Sequence, residues 1–411
     1  MRGKPYHLTV FGATSFVGQI LTRTLVTEFG VHGRLRWAIA GRSAGKLQAL
    51  KKSLGRRAAD LPTLVADAAD EVALGRLCDQ SKAVVSTVGP YALYGEPLVR
   101  ACAESGTDYC DLTGEVQWIR RMLLAYEKSA RRSGARIVHC CGFDSIPSDL
   151  GVHFLQQQAL ERFGHPCTQV KMRVKAMRGG FSGGTVASML NFLEEAAADP
   201  ALRKQIANPY ALCPDGHGSR VRQPGVKFAE YDADFRAWVA PFVMSAVNTR
   251  IVHRSNALAK RAYGADFRYD EAVLTGRGVK GRLAAAAVGG GLAGFMLAGS
   301  VGPLRRALGR YVLPGPGEGP SPEQQRRGHY DLRFLGRTDD GRVLRVKVTG
   351  DRDPGYGSTA RMLCQAAACL ALDIDKSDRP GGFWTPATLF GDRLQKRLVA
   401  HAGLTFETID E

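Results

Sequence analysis

The sequence predicts an α/β protein: a doubly wound parallel sheet over residues 1–145, then a second α+β domain over 146–411 containing a mainly antiparallel sheet. Three observations carry this. Strand-like and helix-like segments alternate through the first third of the chain. A glycine-spaced turn joins the first strand to the first helix. After Asp144 the hydrophobic period changes to two.

In chain order, His7 to Phe11 is an apolar-leaning run that Gly12 stops. Phe16 to Thr27 sets Val17, Ile20, Leu21 and Leu25 on one helical face. Leu35 to Ala40 reads as the second strand, ended by Gly41-Arg42, and Ala44 to Leu54 as a helix. Thr63 to Ala66 is the third strand, closed by Asp67. A helix over Asp70 to Gln80 leads into a strand over Ala83 to Val88. Then come a helix from Gly95 to Ser105, a short strand from Thr107 to Cys110, a helix from Val116 to Ser133 and a strand from Arg136 to Cys141. Strands separated by helical crossovers are what a parallel sheet requires.

In the second domain, Val170, Met172 and Val174 alternate with Gln169, Lys171, Arg173 and Lys175. Leu344, Val346 and Val348 alternate with Val343, Arg345 and Lys347, after Tyr330 to Leu335 and the turn Asp339-Asp340-Gly341. These are expected to be half-exposed antiparallel strands with one basic, solvated face. Pro314 to Pro320 has the composition of a loop.

Segment 283–304 contains no charged residue and is flanked by Lys280, Arg282, Arg305 and Arg306. Its length would cross a bilayer, but it is rich in Gly and Ala rather than Leu and Ile. Three readings stay open: packing inside the protein as a hairpin or helix pair through Gly290 and Gly294, peripheral contact with the inner face of the plasma membrane, or a true span.

The chain has 411 residues, 45% of them hydrophobic and 23% charged, so a substantial core is expected and disorder is not. A formal net charge of +17 attracts anionic partners. With no zinc-finger spacing, RNA-binding signature or long basic block, nucleic acid is not expected. The nine cysteines include no C-x-x-C pair, and Met1 to Pro5 lacks the apolar run of a secretory leader. Both features predict reduced thiols and a cytoplasmic location. A homo-oligomer stays open. No H-E-x-x-H motif or comparable ligand set predicts a metal.

The chemistry centres on Gly12-Ala13-Thr14-Ser15-Phe16-Val17-Gly18, between the first strand and the first helix. Gly12 permits the tight turn, Ser15 is small enough for a pyrophosphate to approach, and Gly18 lets helix and strand pack closely. The helix N-terminus then offers free N–H groups to phosphates. This is a dinucleotide site of the Rossmann kind. The second strand ends in Arg42-Ser43 instead of an acidic residue, which suits the 2′-phosphate of NADPH. Asp67 is placed either against the adenine amino group or as a helix cap. Thr87-Val88-Gly89-Pro90-Tyr91 ends the fourth strand under the nicotinamide half, where Tyr91 is a candidate to stack or donate a proton. Asp144 and Ser145, with Asp149, follow the last strand at the domain junction. They suit either substrate positioning and proton relay or entry into the helix near Pro147. Asp111 and Glu115 share that ambiguity, and Ser182-Gly183-Gly184-Thr185 is either a Gly-rich helix entry or an anion site.

These segments, together with Asp111-Leu112-Thr113-Gly114-Glu115, Cys141 to Asp149, Asn248 to Val252 and Arg327 to Tyr330, resemble the saccharopine dehydrogenase-like oxidoreductase family over nearly the whole chain. Within it they are most similar to the trans-acting enoyl reductase branch. Ser15 departs from the Gly of many members. The resemblance implies NADPH and reduction of an enoyl thioester, borne by a carrier protein or synthase, in lipid or polyketide assembly. It leaves as alternatives a saccharopine-type amino-acid dehydrogenase and a non-catalytic lipid-surface protein.

Overall fold

A computed structural model describes residues 3–179, 183–307 and 319–410. Ser182 and most of the Pro314–Pro320 stretch lie outside the described residues.

The first sheet contains β1 (Tyr6–Phe11), β2 (Trp37–Gly41), β3 (Thr63–Val65), β4 (Ser81–Ser86), β5 (Asp108–Asp111) and β6 (Arg136–Val138). The observed bounds fall within about two residues of the expected ones, apart from β6. That strand stops early because Cys140 adopts a positive φ of 62° and Asp111 accepts hydrogen bonds from its amide and from His139. The order β6-β5-β4-β1-β2-β3 is wholly parallel and reverses between β1 and β4. In a doubly wound sheet, ligands bind outside the strand carboxyl ends at such a reversal.

Alternate strand residues feed two apolar layers. Val85 and Val10 join Leu21 and Leu25 on one face. Val84 and Tyr109 join Leu74, Leu98 and Ile119 on the other. A sheet buried on both faces needs cover on both, and part of that cover comes from far along the chain. The Thr359–Leu372 helix, buried along nearly its whole length, packs on β1, β4 and β5.

The second sheet contains β7 (Gln169–Arg178), β8 (Glu230–Asp232), β9 (Ala237–Pro241), β10 (Arg268–Gly276), β11 (His329–Arg337) and β12 (Val343–Gly350), with a further strand from the chain end. After β12 come β13 (Gly382–Trp384) and β14 (Leu404–Thr408). β13 pairs in parallel with β6 as the seventh strand of the first sheet, and β14 pairs with β12 in the second. The second sheet is antiparallel except where β10 runs parallel to β7. The Ile146–Phe163 helix lies against it, with Gly151 so close to the Phe334 ring that a Cβ would clash.

Two expectations need correcting here. The polar face of β7 is not simply basic and solvated. Arg173 is 2% exposed, and its guanidinium lies 2.7 Å from Asp232 and 2.9 Å from Asp270. Lys171 pairs with Asp234 at 2.6 Å. Strands distant in sequence supply the acids, so alternation within β7 could not reveal them. The apolar segment 283–304 is also not a packed hairpin. Most of it lies in one helix, Gly278–Ser300, followed by a short helix, Gly302–Ala307. Gly281, Ala285 and Gly289 make a narrow buried stripe that lets this helix lie near β9 and β10, while Gly290 and Gly294 face open space.

Candidate active site

The turn after β1 is fixed by its glycines and by the end of β4. Gly12 has φ +83°, and a Cβ there would lie 2.6 Å from Val88 Cγ2 and 2.9 Å from Thr87 Oγ1. A Cβ on Gly18 would run into the Gly12 carbonyl. Gly12 and Ala13 donate their amides to the Ala40 carbonyl, tying the turn to β2. Ser15 does more than stay small: it caps the Phe16–Phe29 helix, accepting from the Gly18 amide at 2.9 Å. Its hydroxyl also lies 2.9 Å from Thr87 Oγ1, and Thr87 donates to the Gly12 carbonyl at 2.9 Å. The amides of Phe16 and Val17, in the first helical turn, have no intrahelical acceptor. A turn closed by Gly12 and Gly18, a capped helix and first-turn amides without intrahelical acceptors fit a dinucleotide pyrophosphate. Thr14 flanks the turn, and the Phe16 ring meets Tyr356 edge-on at 5.2 Å, a cover from just before the Thr359–Leu372 helix that the sequence reading missed.

Arg42 follows β2 with its side chain exposed and no bonded partner among the described residues. Ser43 caps the Ala44–Ser53 helix by accepting from the Lys46 amide at 3.3 Å, leaving its own proton free to donate. Asp67 is not the helix cap. It accepts from Ala69 N at 3.0 Å within the turn after β3, and Asp70 caps the Glu71–Gln80 helix. Val88, Gly89 and Pro90 follow β4 with at least partial exposure, and the Gly89-Pro90 peptide is cis.

The geometry corrects the reading of Tyr91 as a proton donor. Its side chain is 4% exposed, its hydroxyl donates to the Ser86 carbonyl at 2.9 Å, and its ring packs against Trp118. Burial pushes its pKa well above 10, with the Asp111 charge adding to the shift. Tyr91 holds the loop in place. Ser145 is likewise wholly buried, with Oγ 2.6 Å from the Asp144 carbonyl and 3.1 Å from Asn248 Oδ1.

Four acidic residues near the strand ends now separate by partner. Asp111 is 2.7 Å from His139 Nδ1. Glu115 accepts from the amides of Tyr91 and Ala92 and from Ser188 Oγ, so it clamps one domain to the other. Asp149 accepts from Ser255 Oγ and from Ala387 N. Asp144 has no side-chain partner among the described residues and stays partly accessible. Its carboxyl lies beside Gly114 and Gly142, in the loops after β5 and β6, on the edge of the sheet that also carries the Gly12 and Thr87 turns. Burial, with Asp111 adding, raises its pKa to about 7. A carboxylic acid poised near neutrality without a cation is equipped to donate a proton. Asp149 is raised to about 7 as well, but its oxygens are engaged.

Residues 8–138 match the family described as the saccharopine dehydrogenase NADP binding domain. A Mycobacterium tuberculosis protein, provisionally named a trans-acting enoyl reductase, is 41% identical, with 98% of each chain covered. The trans-acting enoyl reductase of Mycobacterium bovis is 40% identical, again over 98% of each chain. Among solved structures, saccharopine dehydrogenase (L-Glu forming) from Saccharomyces cerevisiae aligns with a TM-score of 0.56 at 14% identity, covering 98% of this chain and 99% of its own. That likeness extends to the fold.

Proposed function

Because the chain belongs to the trans-acting enoyl reductase family, an NADPH-dependent oxidoreductase group, we propose that it reduces the C=C bond of an enoyl thioester presented by a carrier protein or synthase. The observation that carries this reading is the turn at the β1/β4 reversal, where neither Gly12 nor Gly18 has room for a Cβ. The Gly12–Gly18 turn and the first helical amides would hold the pyrophosphate, with Thr87 keeping the turn in shape. Arg42 and Ser43 would hold the 2′-phosphate, and Val88, Gly89 and Pro90 would flank the nicotinamide end. Bound NADPH supplies hydride to the substrate β-carbon. Asp144, as the neutral acid, gives its proton to the α-carbon and is left as carboxylate, to be reprotonated from solvent. Ser145 and Asn248 position the loop that carries it.

The test is NADPH oxidation with a short trans-2-enoyl thioester, following loss of the conjugated double bond. Stoichiometric formation of the saturated thioester is expected. Oxidation of NADPH only with an imine or 2-oxo acid and amine, and never with an enoyl thioester, would overturn the reading in favour of amino-acid dehydrogenase chemistry.

We further propose that the protein is cytoplasmic and rests on the inner face of the plasma membrane through the Gly278–Ser300 helix. What supports this is exposure: in the most apolar 18-residue window of that helix, at mean hydropathy 1.6, only 17% is buried. Leu283, Met296 and Leu297 are exposed, with Leu304 just beyond the helix. Arg277, Lys280 and Arg306 lie at the two ends, while Arg305 is already paired with Glu194. An apolar face between basic ends is complementary to an anionic lipid surface.

A further inference from the structure

A cavity of about 540 Å³ lies in the second domain, away from the glycine turn, and its chemistry is one-sided. Its lining includes Tyr210, Arg220, Arg222, Arg250 and His253 and, among the described residues, no carboxylate. Arg220 and Arg222 are exposed and have no bonded partner among the described residues. Arg250 is more unusual. Among the described residues its guanidinium donates only to the Ala246 and Ile206 carbonyls and the Thr249 hydroxyl, and its buried Nε finds no acceptor. Burial with no anion to offset it pulls its pKa down to about 10. His253, 3% exposed, also has an unpartnered Nε2. A half-buried guanidinium with no carboxylate partner among the described residues is left partly uncompensated, which an anion would offset.

Volume and charge together narrow the ligand. Three guanidiniums and open hydrogen-bonding sites call for phosphate. The cavity falls in the range that holds an organic ligand, larger than a bare phosphate needs. Its position adds a third constraint. The Ser245–Leu258 helix gives Thr249, Arg250 and His253 to the cavity, while Asn248 of the same helix contacts Ser145, next to Asp144. The cavity and the proposed proton donor are thus linked through one helix. We propose that this cavity binds the phosphate of a pantetheine-type acyl thioester, the 4′-phosphopantetheine arm of a carrier or of coenzyme A, and so anchors the substrate whose double bond is reduced. This rests on the enoyl-thioester reading above.

The experiment measures binding of 4′-phosphopantetheine, pantetheine and inorganic phosphate to the NADPH-loaded full chain. The comparison is between wild type, Arg250→Gln, and the surface pair Arg220→Ala/Arg222→Ala, which keeps the test open if the buried substitution does not fold. Phosphopantetheine is expected to bind at least tenfold tighter than either pantetheine or phosphate, and at least tenfold weaker to the surface double variant, with NADPH affinity unchanged. Equal binding of phosphopantetheine and pantetheine, or no loss in the arginine variants, overturns the proposal. So does phosphate binding as tightly as phosphopantetheine, which marks a simple anion site. An enoyl thioester of N-acetylcysteamine, which has no phosphate, separates the two readings. Its reduction without arginine-dependent phosphopantetheine binding sinks only the cavity. Arginine-dependent binding with no reduction of any enoyl thioester sinks only the reductase.

Discussion

Arg42 follows β2 with no acidic residue among the described ones bonded to it. Hydrogen bonds to a charged group contribute about 1.5–3 kcal/mol, and about 1.4 kcal/mol is tenfold in affinity. NADPH is therefore expected to bind at least ~10-fold tighter than NADH, and Arg42→Ala to remove most of that preference. Equal wild-type affinities would show that Arg42 meets no 2′-phosphate. Asp144 yields a paired expectation. As the proton donor it acts in the neutral form, and burial sets its pKa at about 7, so kcat should be level below that pH and fall above it. Asp144→Asn should flatten the descending limb and slow turnover roughly 100-fold, near the low end for general acid catalysis. The substitution affects stability in the opposite sense to activity, although the two share a pH trend. The folded pKa is raised from an unfolded value near 3.9, so the stabilisation is full below pH ~4 and is lost as pH rises through about 7. Asp144→Asn removes a buried charge at pH 8 and should raise stability there by ~1 kcal/mol, discounted for partial solvent access, with little change at pH 4. Denaturant midpoints at the two pH values check this. A variant that is slower but no more stable at pH 8 points to a damaged loop. Asp144 was visible in the sequence, but so were Asp111, Glu115 and Asp149. Only the partners from distant segments — His139, Ser188, Ser255 and Ala387 — separate the free carboxyl from the engaged ones.

At the scale of elements, the Gly278–Ser300 helix leaves apolar side chains exposed and carries the membrane proposal with it. Its composition left three environments open, with a true span the least suited because Gly and Ala outnumber Leu and Ile. The buried stripe of Gly281, Ala285 and Gly289 is narrow and leaves Leu283 and Leu297 outside it. Leu292 and Phe295 are half-buried, whereas Leu283 and Leu297 are 65% and 67% exposed. The exposed pair is therefore the place to test. Burying each such side chain is worth about 1.5–3 kcal/mol, and each nearby basic residue adds ~1 kcal/mol on an anionic surface. The wild type should sediment with anionic liposomes, less at high salt but still measurably, because the apolar contact persists. Leu283→Asp with Leu297→Asp should weaken binding at least ~10-fold, by loss of those transfer energies, and leave NADPH affinity unchanged. A wild type that stays in the supernatant with anionic liposomes at low salt rules the membrane contact out.

Across the whole molecule, the first six strands were legible because short strand-like segments alternate with helical crossovers, even where, as in Asp108–Asp111, the segment is not purely apolar. The closing parts of the same sheet were not. β13 has three residues, too few to show any period, and the Thr359–Leu372 helix is apolar nearly all round, so it has no face to read. Arg173 failed for the same reason: β7 alone displays the alternation, while β8 and β10 bring the acids. These distant pieces make the dinucleotide domain depend on the chain end. Met362, Leu363 and Leu370 are at most 1% exposed in the layer over β1, β4 and β5. Each such side chain contributes roughly 1.5–3 kcal/mol on burial, and a typical domain has only 5–15 kcal/mol in total. A fragment of residues 1–145 would leave one face of its parallel sheet partly uncovered and β6 as an edge. It should therefore bind a hydrophobic dye, aggregate and fail to take up NADPH. Adding residues 359–410 as a separate chain should restore soluble, NADPH-binding material at least in part, because that piece supplies both the cover and β13. The intact protein should unfold in one transition that NADPH shifts as a whole. A soluble 1–145 fragment with full-length NADPH affinity would show that the sheet folds without its distant cover.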